Sequence, residues 1–98
     1  MRPALLVDRA DEIAPVLALL GNAKRLAIMC HLAEGELSVG ALADKVGLSQ
    51  SALSQHLAKL RAQGLVDTRR ERQMIYYSCP PGPVPELLSC LVTLFPQR

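Results

Sequence analysis

Apolar positions follow a helical period along most of this chain, then switch to alternation just after residue 64. Between Leu48 and Gly64, Leu53, Leu57 and Leu60 fall at i, i+4 and i+7, one stripe of a helix capped by Ser49 and closed by Gly64. Three further helices are predicted upstream. The first starts at Asp11 or Glu12, with Pro15 near its first turn, and runs through Val16, Leu17, Leu19 and Leu20 to Gly21. The second, Ala23 to Ala33, has Asn22 as its N-cap and ends at Glu34-Gly35. A short third helix begins at the cap Ser38, turns Val39, Leu42 and Val46 inward, and stops at Gly47. The third and fourth helices are then separated by a turn of about three residues, the spacing of a helix-turn-helix.

After Gly64 the period becomes two. Leu65 to Arg70 and Met74 to Ser78 flank Glu71-Arg72-Gln73, a β-hairpin with a basic tip. Pro80-Pro81-Gly82-Pro83 reads as a rigid spacer. Pro85 starts a last helix, Glu86 to Phe95, ended by Pro96. That helix is apolar nearly all round, through Leu87, Leu88, Leu91, Val92, Leu94 and Phe95, more than a chain this small can bury alone. The pattern therefore predicts a mainly α domain with one hairpin, a winged helix-turn-helix spanning residues 1–98. Residues 1–10 form a loose arm, and the apolar last helix is expected to join two copies into a homodimer.

Composition sharpens this picture. Half of the residues are hydrophobic but only 3% are aromatic, so the core must be aliphatic. Net charge is only +2, yet Lys59, Arg61, Arg69, Arg70 and Arg72 face just Asp67 and Glu71 between residues 59 and 73, a local +3. No apolar run reaches a membrane span, and the N-terminal apolar stretch is too short for a signal peptide. Three cysteines without close spacing do not make a disulfide framework, so the expectation is a cytoplasmic protein with reduced thiols and no membrane partner.

The fourth helix carries the most telling chemistry. Opposite its leucine stripe lie Ser51, Ser54, Gln55, Ala58 and Lys59, with no acid among them. A merely solvated face usually mixes Glu with Lys. A helix that enters the major groove must exclude carboxylates from the phosphates, and uses Gln and Ser for base edges and Lys for the backbone. The implied partner is double-stranded DNA. An architectural DNA binder would not need Gln and Ser there, and a protein-interaction module would present an apolar face instead. Enzyme chemistry has no foothold: there is no phosphate-binding glycine loop, no Cys-x-x-Cys, no His-x-x-x-His, and only two histidines.

Leu19 to Leu26, Leu37 to Ala43, Leu48 to Gly64 and the hairpin Thr68 to Tyr77 together resemble the ArsR/SmtB family of bacterial transcriptional regulators, over roughly residues 12 to 95. The resemblance implies a homodimer joined by first and last helices, a repressor that occupies an inverted repeat. It also places base-reading positions on Gln50, Ser51, Ser54 and Gln55, and wing contacts on Arg70, Arg72 and Gln73. His56 has two readings, a helix-packing or phosphate-contacting histidine and a base reader; its direction on the helix favours the first. Arg69, Arg70 and Arg72 are either a solvated tip or, lacking matching acids, phosphate contacts.

The resemblance weakens at the sensor. Metal-sensing members place cysteines where this chain has Ser38, Val39 and Gly40, or acid and histidine pairs on the last helix, where Leu87 to Phe95 here contains no His, Asp or Glu. No metal or other cofactor is therefore expected. The stretch from Leu37 to Tyr77 is most similar to the sulfide- and oxidant-sensing branch and to nodulation-type regulators. That branch implies a sensor cysteine at Cys30 and a second at the position held by Pro96. Cys90 lies six residues earlier, about 9 Å along a helix axis. Cys30 is thus either a small core hydrophobe or a thiol sensor paired with Cys90 or Cys79, with reactive sulfur or an oxidant as inducer.

Overall fold

A computed structural model describes residues 1–98. Its elements are α1 (Ala10–Leu20), α2 (Ala23–Glu34), β1 (Leu37–Ser38), α3 (Val39–Val46), α4 (Gln50–Ala62), β2 (Asp67–Glu71), β3 (Met74–Ser78) and α5 (Pro83–Leu94), preceded by a 3₁₀ helix over Pro3–Arg9. The winged helix-turn-helix order is as the pattern predicts.

Local chemistry explains the boundaries of the central helices. The Asn22 carboxamide oxygen accepts from the amides of Lys24 and Arg25, each at 3.0 Å. The Ser38 hydroxyl accepts from the Ala41 amide at 3.2 Å, and the Ser49 hydroxyl from that of Ala52 at 3.1 Å. Gly47 (φ 70) and Gly64 (φ 72) end α3 and α4 in the left-handed region, where a side chain would be strained. At Gly64 the amides of Gly64 and Leu65 return to the carbonyls of Arg61 and Leu60, closing a Schellman turn.

Four expectations need correction. Residues 3–9 form a 3₁₀ helix instead of a loose arm, because Pro3 starts it and Arg9, at its end, clasps Glu12 at 2.7 Å. The first helix consequently begins at Ala10, and Pro15 sits within it, not in its first turn. The bond Pro15 cannot donate would end on the carbonyl of Asp11, an exposed residue that water can serve. The hairpin strands begin at Asp67, since Leu65 and Val66 are buried in the connection; its loop is Arg72-Gln73, with Glu71 paired to Met74. The last helix starts at Pro83, which puts Pro83 and Pro85 in the first turn where amides have no helical partner.

A third strand also escaped the pattern. β1 is two residues long and pairs antiparallel with β3, Leu37 opposite Tyr77 and Ser38 opposite Tyr76, giving the order β1-β3-β2. Two residues carry no readable alternation.

The core is aliphatic throughout. Ile28, Met29 and Leu32 of α2 pack with Leu42, Ala43 and Val46 of α3, Leu53, Leu57 and Leu60 of α4, and Val84 and Leu88 of α5, joined by Leu20, Leu65 and Val66. No polar or charged residue is buried in it. No single helix is long and apolar enough to cross a membrane. Because Leu53 is fully buried, Leu53→Ala is expected to lower stability by about 2–5 kcal/mol, read as an earlier urea midpoint with an unchanged slope.

Candidate nucleic-acid interface

The cap Ser49 and the buried stripe Leu53, Leu57 and Leu60 together fix the rotation of α4. Gln50, Ser51, Ser54, Gln55, Ala58 and Lys59 are therefore all exposed on its outer side. The helix contains no acidic residue along its whole length. Its outward face is thus a run of neutral donors and acceptors with one cation, as the sequence implied. The Gln50 amide lies over Gly40 of α3, 3.9 Å from where a Cβ would stand.

His56 occupies the margin between the two faces and is half-buried. Its Nδ1 lies 3.4 Å from a guanidinium nitrogen of Arg25, whose Nε donates to the carbonyl of Leu19 at 2.7 Å. One arginine of α2 therefore joins the end of α1 to the middle of α4. Lys24 acts similarly, donating through Nζ to the carbonyl of Val46 at 2.8 Å, at the C-terminal end of α3. Sequence reasoning gave neither residue a role. A basic residue just inside a helix start was the one available signal, and it does not reveal which neighbouring carbonyls lie within reach.

At the wing, the premise that the arginines lack matching acids fails for Arg69. Its guanidinium makes two bonds to Glu36, at 2.7 and 2.8 Å, and a third to Glu71 at 2.9 Å, while lying 4.6 Å over the ring of Tyr76. The Arg69 hydrogen bonds hold the Glu36 carboxyl below the usual carboxylate range. Glu36 was missed because its partner is 33 residues away. Arg70, Arg72 and Gln73 are exposed, and their side chains bond to no other residue. Arg72 has φ 57, a backbone region that residues with a Cβ rarely occupy. A two-residue hairpin loop requires such a positive φ at its first position.

All three cysteines are free. Cys30 is exposed in the single chain, not a buried core hydrophobe: it lines an apolar groove with Leu26, Leu88, Leu91, Val92 and Phe95, because α5 covers only part of α2. Cys90 is exposed on α5 and is not among the groove residues; Cys79 follows β3 with its Sγ 3.6 Å from the carbonyl of Pro80. Burial and then the Glu34 carboxylate push the Cys30 thiol up, and burial and then Asp67 do the same at Cys79.

A capped, acid-free helix following a short helix and turn, with a basic-tipped hairpin behind it, defines a winged helix-turn-helix DNA-binding protein. Residues 22–68 match the family described as bacterial regulatory protein, arsR family. The nodulation protein NolR of Rhizobium meliloti is 54% identical over 88 residues, covering 90% of this chain and 72% of its own length. The crystal structure of the transcriptional repressor BigR from Xylella fastidiosa superposes with a TM-score of 0.92 at 38% identity, over 100% of both chains. A homodimeric winged helix-turn-helix DNA-binding domain from Mycobacterium bovis, solved by NMR, gives 0.80 at 33% identity, covering 90% of this chain and 82% of that one. The chain belongs to the arsR family and is a DNA-binding transcriptional regulator.

The setting of His56 has a measurable consequence. Burial, then the charges of Arg25 and Lys59, lower its pKa in the folded state. Below about pH 6.5 the unfolded chain takes up a proton that the folded protein resists, so stability falls on acidification toward the folded pKa. His56→Gln should flatten the stability profile between about pH 7 and 5.5, measured by urea denaturation at each pH.

Proposed function

We propose that the protein is a homodimeric repressor that occupies an inverted-repeat operator. In this reading α4 of each protomer lies in the major groove, and Arg70, Arg72 and Gln73 of each wing contact the flanking backbone. The acid-free outer face of α4 carries the proposal, since only a partner lined with phosphates makes the complete exclusion of carboxylates useful. Ser51, Ser54, Gln50 and Gln55 offer base-edge donors and acceptors, whereas Lys59 and the free wing arginines supply sequence-independent attraction.

Dimerisation is supported by apolar surface at both ends of the chain. Val92, Leu94 and Phe95 near the end of α5 are 69–74% exposed, and Leu5, Leu6, Val7 and Leu17 around α1 are exposed as well. The homodimeric mycobacterial neighbour and the BigR repressor support the assembly and the sign of regulation. A protein-interaction module is disfavoured because the apolar surface lies on α1 and α5, while the outer face of α4 is polar. A regulator of this family acts on the bacterial chromosome, so this reading puts the protein in the cytoplasm.

Selection from a random DNA pool, with light scattering of the selected complex, is the direct test. A two-to-one complex on an inverted repeat with half-site centres about 34 Å apart is expected; a monomer bound one-to-one to DNA overturns the reading. Gln55→Ala should relax base choice by about 1–3 kcal/mol at one position per half-site. Arg72→Gly separates function from folding: it relieves the left-handed backbone, so the thermal midpoint holds or rises, while binding to every sequence weakens and the salt slope drops by about one unit per wing. Unchanged affinity and slope would remove the wing from the interface.

A further inference from the structure

Arg69 faces the same surface of the hairpin as Tyr76, its partner across the strands, and Tyr76 is in turn opposite Ser38. Ser38 is the N-cap of α3, the first helix of the helix-turn-helix. The Arg69 guanidinium extends from β2 over the Tyr76 ring of β3 and makes a two-bond clasp on Glu36, immediately before β1. It also takes Glu71, next to the loop that holds Arg72. One side chain thus touches all three strands' surroundings and ties the outer strand of the wing to the segment that leads into α3.

We infer that Arg69 and Glu36 form a strap that positions the wing relative to the helix-turn-helix, and that Arg69 itself does not contact DNA. The inference rests on the proposed contact between wing tip and DNA, and assigns Arg69 a role that acts through Arg72. β1 is only two residues long, so the strap supplements a backbone connection of very few hydrogen bonds. A bidentate guanidinium pair stacked on a ring holds one geometry where a single exposed ion pair would not. Three donors committed to two carboxylates leave little positive potential for a phosphate.

The sign of one substitution separates the strap from a phosphate contact. Glu36→Gln removes a negative charge and frees part of Arg69, so simple electrostatics predicts tighter DNA binding. The strap predicts binding about three- to fivefold weaker to the selected operator, the scale of an exposed charge network. Arg69→Lys retains the charge but loses the fork and the stacking, and should weaken binding to a similar extent. The double variant Glu36→Gln, Arg69→Lys should be no worse than either single.

Each protein is titrated with operator DNA by fluorescence anisotropy at several salt concentrations, with circular dichroism melting to verify folding. Equal or tighter binding by Glu36→Gln overturns the strap. Additive losses in the double variant overturn it too, since two residues acting through one clasp cannot be lost twice. Arg72→Ala is measured alongside. If it leaves affinity unchanged, the wing reading itself fails; if it weakens binding while Glu36→Gln does not, only the strap fails. In an Arg72→Ala background the effect of Glu36→Gln should largely disappear.

Discussion

The burial of Leu53, Leu57 and Leu60 determines more of this molecule than any other contact. Each leucine is 0–1% exposed, against α2, α3 and α5 residues that are just as aliphatic. Burial at roughly 1.5–3 kcal/mol per side chain fixes the rotation of α4 about its axis. Turning the helix by one residue, about 100°, would lift these leucines into water and press a polar neighbour such as Ser54 or Gln55 into a core without hydrogen-bond partners. The outer face of α4 is therefore a consequence of what its inner face must bury. No recognition contact is needed to orient it.

The first turn of α2 organises the helices around that core. Lys24 reaches the last carbonyl of α3, and Arg25 reaches both the end of α1 and His56 of α4. These are cations placed on helix carbonyl ends, where the peptide dipoles favour positive charge. Through two adjacent residues, the element carrying the proposed dimer surface and both helices of the DNA-binding unit share one anchor.

Charge on the wing is divided by its partners more than by its sequence. Three arginines lie within four residues, yet one is neutralised by two carboxylates and two remain free. The tip cation Arg72 sits at a left-handed backbone position that glycine would occupy without strain. On α2, Ile28, Met29 and Leu32 are buried, while Leu26 and Cys30 line an apolar groove with residues of α5.

The sequence by itself determined the elements whose signals are local. Asn22, Ser38 and Ser49 cap the helices they were expected to cap, and Gly47 and Gly64 end them, because a cap needs only its own hydroxyl or carboxamide and an amide two or three residues on. The leucine spacing located the inner and outer faces of α4 before any partner was known. Tertiary structure alone decided the two-residue β1 and the engagement of Arg69 by Glu36. These depend on contacts between residues tens of positions apart, and side-chain chemistry read along the chain gives no distance across it. The exposure of Cys30 belongs to the same class. How much surface a neighbouring helix covers is settled only when the helices pack.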